Sequence, residues 1–245
     1  MVTIENIPIL FNSFIKRKHF LDICLYFYGH YFPKNEIYLT LDEENYTNKN
    51  TSFTLLTYPK TEKTSEEMHL DLSRFYRHYY TLNYFKDKGY KYIMNCLDDG
   101  WIGMLVENDL NKSIEYLEEY KADRIDLCGL QPEYQLDYVK DNLYIVNSNN
   151  TLPWYLTNQC AIWNINSLIQ IYEKLGPSSD CDVEKYGSEL CRQLNYKFLT
   201  FKNSPLDNDG VFQRNVGLKE KGIILLKEYC KQNKINYDEE LQKFK

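Results

Sequence analysis

Apolar residues fall into short runs and helical stripes that alternate along the chain. Ile7-Pro-Ile-Leu-Phe11 is a short apolar run closed by Asn12-Ser13 and reads as a first strand. Over residues 16–31, Phe20, Ile23, Cys24, Phe27 and Tyr31 recur at helical spacing, and Phe32-Pro33-Lys34-Asn35 ends the pattern. Residues 36–41 form a second strand that runs into Asp42-Glu43-Glu44. Strand, helix, strand is a crossover unit that implies parallel pairing, with the exits Asn12-Ser13 and Asp42-Glu43 on one edge of the sheet. Residues 51–58 alternate as a third strand, and 60–67 are a polar loop. Residues 69–88 then predict a long amphipathic helix. Leu72, Phe75, Tyr76, Tyr79, Leu82 and Phe85 face inward, Arg74, Arg77 and His78 lie on the more polar side, and Gly89 is the stop.

The next stretch, Tyr90-Lys-Tyr-Ile-Met-Asn-Cys-Leu-Asp-Asp-Gly-Trp-Ile102, starts as a buried strand and ends in two adjacent carboxylates, Asp98 and Asp99. An open α/β sheet presents groups to a ligand crevice at the carboxyl ends of its strands. Asp-Asp-Gly is also ordinary turn chemistry. Asn108 or Asp109 is expected to cap a helix to residue 120 with Leu110, Ile114 and Leu117 inward. Strands follow at 124–130 and 143–146, and residues 153–163 are aromatic and apolar with polar teeth. Helices at 166–175 and 179–194, a strand at 196–201, a loop at 204–210 and two amphipathic pieces at 219–231 and 238–244 complete the pattern. The expectation is a single α/β domain over residues 1–245, with a mostly parallel central sheet flanked by helices. Its parts are a nucleotide-binding half (1–105), a mixed, loop-rich acceptor half (106–215) that closes over the carboxyl edge, and C-terminal helices (216–245).

Composition narrows the function. The 245 residues suffice for one generous domain, and 43% hydrophobic with 26% charged is ordinary for a globular chain. The 23 tyrosines suit half-exposed clefts that hold rings, sugars or bases, though Tyr, Asn, Lys and Ile together also fit an AT-rich genome. A net charge of −6 argues against a non-specific nucleic-acid binder. No stretch reaches the ~18 apolar residues of a membrane span and no signal-peptide pattern leads the sequence, so no transmembrane segment and a cytoplasmic location are expected. The seven cysteines are odd in number and scattered, with Cys24, Cys96, Cys128 and Cys160 in apolar segments, as expected of reduced thiols packed as small hydrophobes. No Cys-x-x-Cys pair or Cys/His cluster suggests zinc.

Four polar clusters fall at strand exits: Asn12-Ser13, Asp42-Glu43, Asp98-Asp99 and the segment 155–159. One or two carboxylates plus substrate phosphates are the usual shell of protein-bound Mg²⁺ or Mn²⁺. The acid pair therefore points to a phosphate-bearing ligand, with Arg74 or Arg77 near the same phosphates. Neither G-x-x-x-x-G-K-S/T nor G-x-G-x-x-G occurs, which argues against a P-loop NTPase and a dinucleotide enzyme.

Several segments carry a resemblance: Ile9-Leu-Phe-Asn-Ser13 through Arg17, the helix with Arg74, Tyr92-Ile-Met-Asn-Cys-Leu-Asp-Asp-Gly-Trp101, Asn158-Gln-Cys-Ala-Ile-Trp-Asn-Ile-Asn-Ser-Leu168 and Asp182-Val-Glu-Lys-Tyr-Gly-Ser188. In this order they resemble nucleotide-sugar glycosyltransferases of GT-A fold, and more narrowly the small polysaccharide-type transferases of bacteria and large DNA viruses, which would place the chain in a host-cell cytoplasm. The resemblance implies transfer of a sugar from a UDP- or GDP-type nucleoside diphosphate donor to a saccharide hydroxyl. It implies Mn²⁺ or Mg²⁺ on Asp99, with Asp98 in support. Asn12, Ser13, Arg17, Asp42, Arg74 and Asp98 would contact the nucleotide-sugar, and Tyr155, Asn158, Gln159 and Trp163 the sugar and acceptor. Glu184, with Asp182, would supply the base. The sequence departs from the family in having adjacent acids rather than Asp-x-Asp, and no histidine after His78 to complete a metal shell. Asp182 also stands three residues after Ser179, as a helix-capping residue would, Glu184 suits a helix start, Arg74 suits a solvated helix face, and Trp163 suits a core. Two other classes use the same residues: a metal-dependent nucleotidyltransferase or sugar-phosphate hydrolase, and a catalytically inactive GT-A-like protein that binds carbohydrate or nucleotide.

Overall fold

The first apolar run becomes β1 (Ile9–Asn12), with all four residues buried. In the computed structural model a 3₁₀ turn leads from it into α1 (Lys18–Tyr31), which buries Leu21, Ile23, Cys24, Leu25, Phe27 and Tyr28, and then β2 (Ile37–Thr40). The residues described are 2–13, 15–41, 45–48, 51–58, 73–128, 135–147, 156, 159–178, 180–206, 212–213 and 217–244. The predicted loop at 60–67 lies outside them. After β3 (Thr54–Leu56) come α2 (Ser73–Asp87), β4 (Tyr92–Cys96), α3 (Glu107–Glu119) and β5 (Arg124–Asp126). A hairpin of β6 (Leu136–Lys140) and β7 (Leu143–Val146) precedes β8 (Ala161–Asn164), α4 (Ile165–Leu175), α5 (Asp180–Gln193) and β9 (Phe198–Phe201). A short antiparallel ribbon, β10 (Phe212–Gln213) and β11 (Gly217–Leu218), leads to α6 (Glu220–Asn233) and α7 (Tyr237–Gln242).

Among the described residues nine strands make one sheet, in the order β3-β2-β1-β4-β8-β5-β9-β7-β6. The N-terminal strands β3, β2, β1 and β4 are all parallel, as the crossover pattern requires. β8 then runs antiparallel between β4 and β5, so the described strands of the second half join the same sheet as the first. They extend it, with β5 and β9 parallel and the β6–β7 hairpin antiparallel at its edge. The mixed character expected of the second half is therefore found inside the sheet.

Strand alternation sorts side chains onto two faces. Ile9, Phe11, Met94, Cys96, Ile125 and Ile162 pack with α1, α3, α6 and α7. Leu10, Ile93, Ala161, Trp163 and Phe198 pack with α2, α4 and α5. Each Leu, Ile, Met or Phe side chain among them contributes about 1.5–3 kcal/mol on leaving water. Local signals set the helix ends. Gly89, at φ 83°, closes α2 in the left-handed region, and Asn164 caps α4 by accepting from the backbone of Asn166 and Ser167. The predicted cap of α3 is corrected. Val106 precedes the helix without a side-chain cap, and Asn108 and Asp109 lie inside the first turn, where an acid also favours the helix dipole. The six described cysteines are buried and free of disulfides.

One buried ion pair stands inside the α2/α4/α5 face. Arg124 and Asp126, two residues apart on β5, form a salt bridge with Arg124 fully buried, its guanidinium 5.0 Å from the Trp163 ring centre and 5.5 Å from that of Phe198. Burial pushes the Asp126 carboxyl up to about 6, against the opposing pull of Arg124. A carboxyl raised in the folded state contributes stability that is full below its unfolded value near 4 and lost as pH rises through 6. Asp126→Asn is accordingly expected to flatten the pH 4–6 part of a urea-midpoint profile. Asp126→Ala removes the carboxylate from a buried guanidinium and is expected to cost about 3–5 kcal/mol, measured by the same denaturation.

Candidate functional site

Because β1, β2 and β4 are parallel, their carboxyl ends open on the same edge, and the register Phe11↔Cys96 brings the residues that follow β1 beside those that follow β4. Ser13 is held there from below, its backbone N–H donating to the Thr40 carbonyl at 3.0 Å. Its hydroxyl donates to Oδ2 of Asp98. Asn12 accepts from Thr40 Oγ1 at 2.8 Å, which ties the ends of β1 and β2 together. Asp98 is 3% exposed and Asp99 is 26% exposed, so the two acids differ in access although they are neighbours.

Arg17 joins them. Its Nη2 lies 2.8 Å from Asp98 Oδ1 and 2.9 Å from Asp99 Oδ2, one nitrogen bridging one oxygen of each carboxylate. Burial by itself would lower the Arg17 pKa; Asp98 and then Asp99 outweigh it and hold the guanidinium above its ordinary value. The charge is fixed, as expected of arginine among carboxylates. From the opposite face Arg77 of α2, buried at 5% exposure, donates from Nη2 to the Ser13 carbonyl at 3.4 Å.

The turn carrying the acids is anchored from behind. The Cys24 thiol faces the Leu97 and Gly100 carbonyls at 3.5 and 3.8 Å, and the Gly100 N–H donates back to Leu97 at 3.2 Å. Trp101 is fully buried and its indole N–H donates to the Phe20 carbonyl at 3.1 Å. Phe244, just beyond α7, packs edge-on against Trp101 and Phe20, so the end of the chain wedges this anchor.

The other expected site residues are distributed as follows. Gln159 directly precedes the Cys160 that faces Cys96, with sulfurs 3.2 Å apart, so it stands at the same edge as the acid pair. Trp163 does not. It is 2% exposed, opposite Ile93 and against Phe198, and its place is the core. Asp42, Tyr155 and Asn158 lie outside the described residues, as do the side chains of Arg74 and Asp182. Glu184 is half-buried on α5, whose Ser188 hydroxyl accepts from the Leu156 N–H at 2.8 Å. Sequence reasoning put Arg77 and His78 on a polar helix face, yet both are buried. His78 Nδ1 lies 2.7 Å from Tyr172 Oη and fastens α2 to α4. It also missed the anchoring parts of Cys24 and Trp101.

Among the described residues no three His, Cys, Asp or Glu side chains gather as metal ligands. Asp98 and Asp99 supply two carboxylates, which suits a divalent ion whose remaining ligands are phosphate and water, once Arg17 has moved aside. Two described clefts, of about 440 and 260 Å³, open at the amino edge beside Glu36, away from the acid pair. The anchor is testable. Trp101→Ala is expected to cost about 3–5 kcal/mol, and Trp101→Phe, which keeps a ring but loses the bond to Phe20, about 1 kcal/mol, both by urea denaturation.

No family model matches the sequence, and no curated protein sequence matches it. Among solved structures, S. aureus TarS is similar, with TM-score 0.51 and 11% identity over 96% of this chain and 41% of that one. Its 1–349 segment gives 0.50 and 12% over 82% and 59%. The mannosyltransferase PcManGT from Pyrobaculum calidifontis, in complex with GDP-Man and Mn²⁺, gives 0.45 and 8% over 97% and 68%. The chain thus spans less than two thirds of either TarS structure. At such identities the likeness is one of fold, and the fold is the expected one: a GT-A-like, Rossmann-like α/β domain with a large central sheet flanked by helices.

Proposed function

We propose that the protein transfers a sugar from a nucleoside diphosphate-sugar to a hydroxyl of a saccharide acceptor, with the donor diphosphate at the carboxyl edge beside Asp98 and Asp99. The observation that carries this reading is the convergence of Ser13, Arg17, Asp98 and Asp99 in direct contact at the exits of two adjacent parallel strands. Open α/β sheets bind their ligands at such an edge, and the GT-A-like fold supports the class.

In this reading Asn12 and Ser13, with Asp42 and Arg74, contact the nucleotide. Arg17 and Arg77 bring positive charge to the side where the diphosphate leaves. Mn²⁺ or Mg²⁺ held by Asp99 with help from Asp98 would supply electrostatic stabilisation of that leaving group, the main term in such chemistry. Gln159, with Tyr155 and Asn158, lines the acceptor side. Glu184 takes the proton of the attacking hydroxyl, and Asp182 supports the same helix start.

Two measurements test the reading. In thermal-shift titration, UDP, GDP or their sugar conjugates are expected to stabilise the protein, and the conjugate is then slowly hydrolysed to the nucleoside diphosphate. Absence of any shift across these nucleotides, or release of pyrophosphate from a nucleoside triphosphate instead, would contradict it. Glu184→Gln is expected to lower turnover by ~10² to 10⁴-fold with donor affinity kept; an equal loss of donor affinity by calorimetry removes Glu184 from that role.

A further inference from the structure

The contact between Arg17 and the acid pair has a particular form. A single nitrogen, Nη2, touches Oδ1 of Asp98 and Oδ2 of Asp99, at 2.8 and 2.9 Å. A cation shared by one oxygen from each of two neighbouring carboxylates sits where a divalent ion bridging the same oxygens at about 2.0–2.6 Å would sit. Two cations cannot occupy that point.

We propose that Arg17 is the resident counter-ion of the divalent-cation seat, and that an ion enters only as the guanidinium is displaced. The inference rests on the transferase reading for the identity of the incoming ion, while the competition itself rests on the geometry alone. The most accessible member of the cluster is the arginine. Its side chain is 33% exposed against 26% for Asp99 and 3% for Asp98, and it rises from the 3₁₀ turn Ile15–Arg17 with its guanidinium 5.2 Å from the centre of the Phe20 ring. Asp98 is buried and accepts from Ser13, and its turn is clamped by Cys24 and Trp101, so the Asp98 carboxylate and the backbone that carries Asp99 are held in place.

Displacement has a direction. A nucleoside diphosphate brings oxygens that suit a guanidinium fork as well as a carboxylate does, so Arg17 can exchange Asp98 and Asp99 for phosphate while the ion takes the acids. The net charge at the edge is then unchanged by binding: two carboxylates against one arginine leave one negative charge in the free protein, and the divalent ion offsets the two negative charges that a nucleoside diphosphate-sugar brings. Binding of ion and nucleotide is coupled in consequence, and each raises the affinity of the other by the same factor.

The test is direct titration with Mn²⁺ alone, following the free-ion signal by electron paramagnetic resonance, for the wild type, Arg17→Gln and Arg17→Lys. Loss of one positive charge at the seat is expected to tighten nucleotide-free Mn²⁺ binding on the order of tenfold in Arg17→Gln. Arg17→Lys, which keeps the charge on a shorter side chain and guards against a folding failure of the first variant, is expected to fall between. Adding Asp99→Asn to Arg17→Gln is expected to abolish the gain. Equal Mn²⁺ affinity in wild type and Arg17→Gln, or a gain that survives Asp99→Asn, overturns the proposal. Repeating the titration with UDP and GDP separates the two readings. A gain in Mn²⁺ affinity with no binding of either nucleotide upholds the shared seat and removes the transferase assignment.

Discussion

Two carboxylates next to each other at the end of a buried strand need positive charge close by. Asp98 is 3% exposed, too little for water to solvate a bare anion, and its neighbour carries the same charge. The structure meets this constraint from a distant part of the sequence. The parallel pairing of β1 with β4 puts Ser13 against one oxygen of Asp98, and the turn after β1 delivers Arg17 to both acids. The start of α1 is thereby fixed to the end of β4. That helix, through Cys24 and the Phe20 carbonyl, in turn holds the acid-bearing loop and Trp101.

The rest of the fold keeps this edge rigid. Arg77 and His78 look like surface charges on an amphipathic helix, but one reaches the Ser13 carbonyl and the other braces α2 on α4. On the far side of β4, β8 is inserted antiparallel and brings Gln159 and Cys160 up to the same edge. A buried charge pair on β5 sits further along the sheet among Trp163 and Phe198. These are polar groups inside a core, each held by a specific partner, and they fix the orientation of helices and strands that apolar contacts alone would define loosely.

Much of this was legible in the sequence because it is local. The run Ile9–Asn12, the stripe of α1 and the exit of β2 announce a parallel crossover, and Gly89 marks the end of α2 by its conformational freedom. The strand ending in Asp98-Asp99, and its exit on the same edge as Asn12-Ser13, follow from strand-exit reasoning; that Arg17 bridges both acids and Ser13 bonds Asp98 is visible only in the structure. Long-range pairing left no such trace. Nothing in Ala161–Asn164 says that it runs antiparallel between β4 and β5, and the half-exposed edge strand Leu136–Lys140 lacks the apolar run that would have revealed it. Periodicity also misplaced Arg77 and His78, since a helical wheel gives a face but not what covers it. For Trp163 the sequence leaves sugar contact and core packing both open, because an aromatic in a ligand segment looks the same whether it points at the edge or into the core, and the structure places it in the core.

The central claim is that the carboxyl edge around Asp98 and Asp99 holds a donor diphosphate together with a divalent ion. A crystal grown with a nucleoside diphosphate and Mn²⁺, with data collected at the manganese absorption edge, tests it most directly. The account predicts one anomalous peak within about 2.0–2.6 Å of an Asp99 oxygen, with the diphosphate on its far side and the Arg17 guanidinium turned from the acids toward phosphate. A manganese peak elsewhere, or a diphosphate bound away from this edge with Arg17 still bridging both carboxylates, would contradict it.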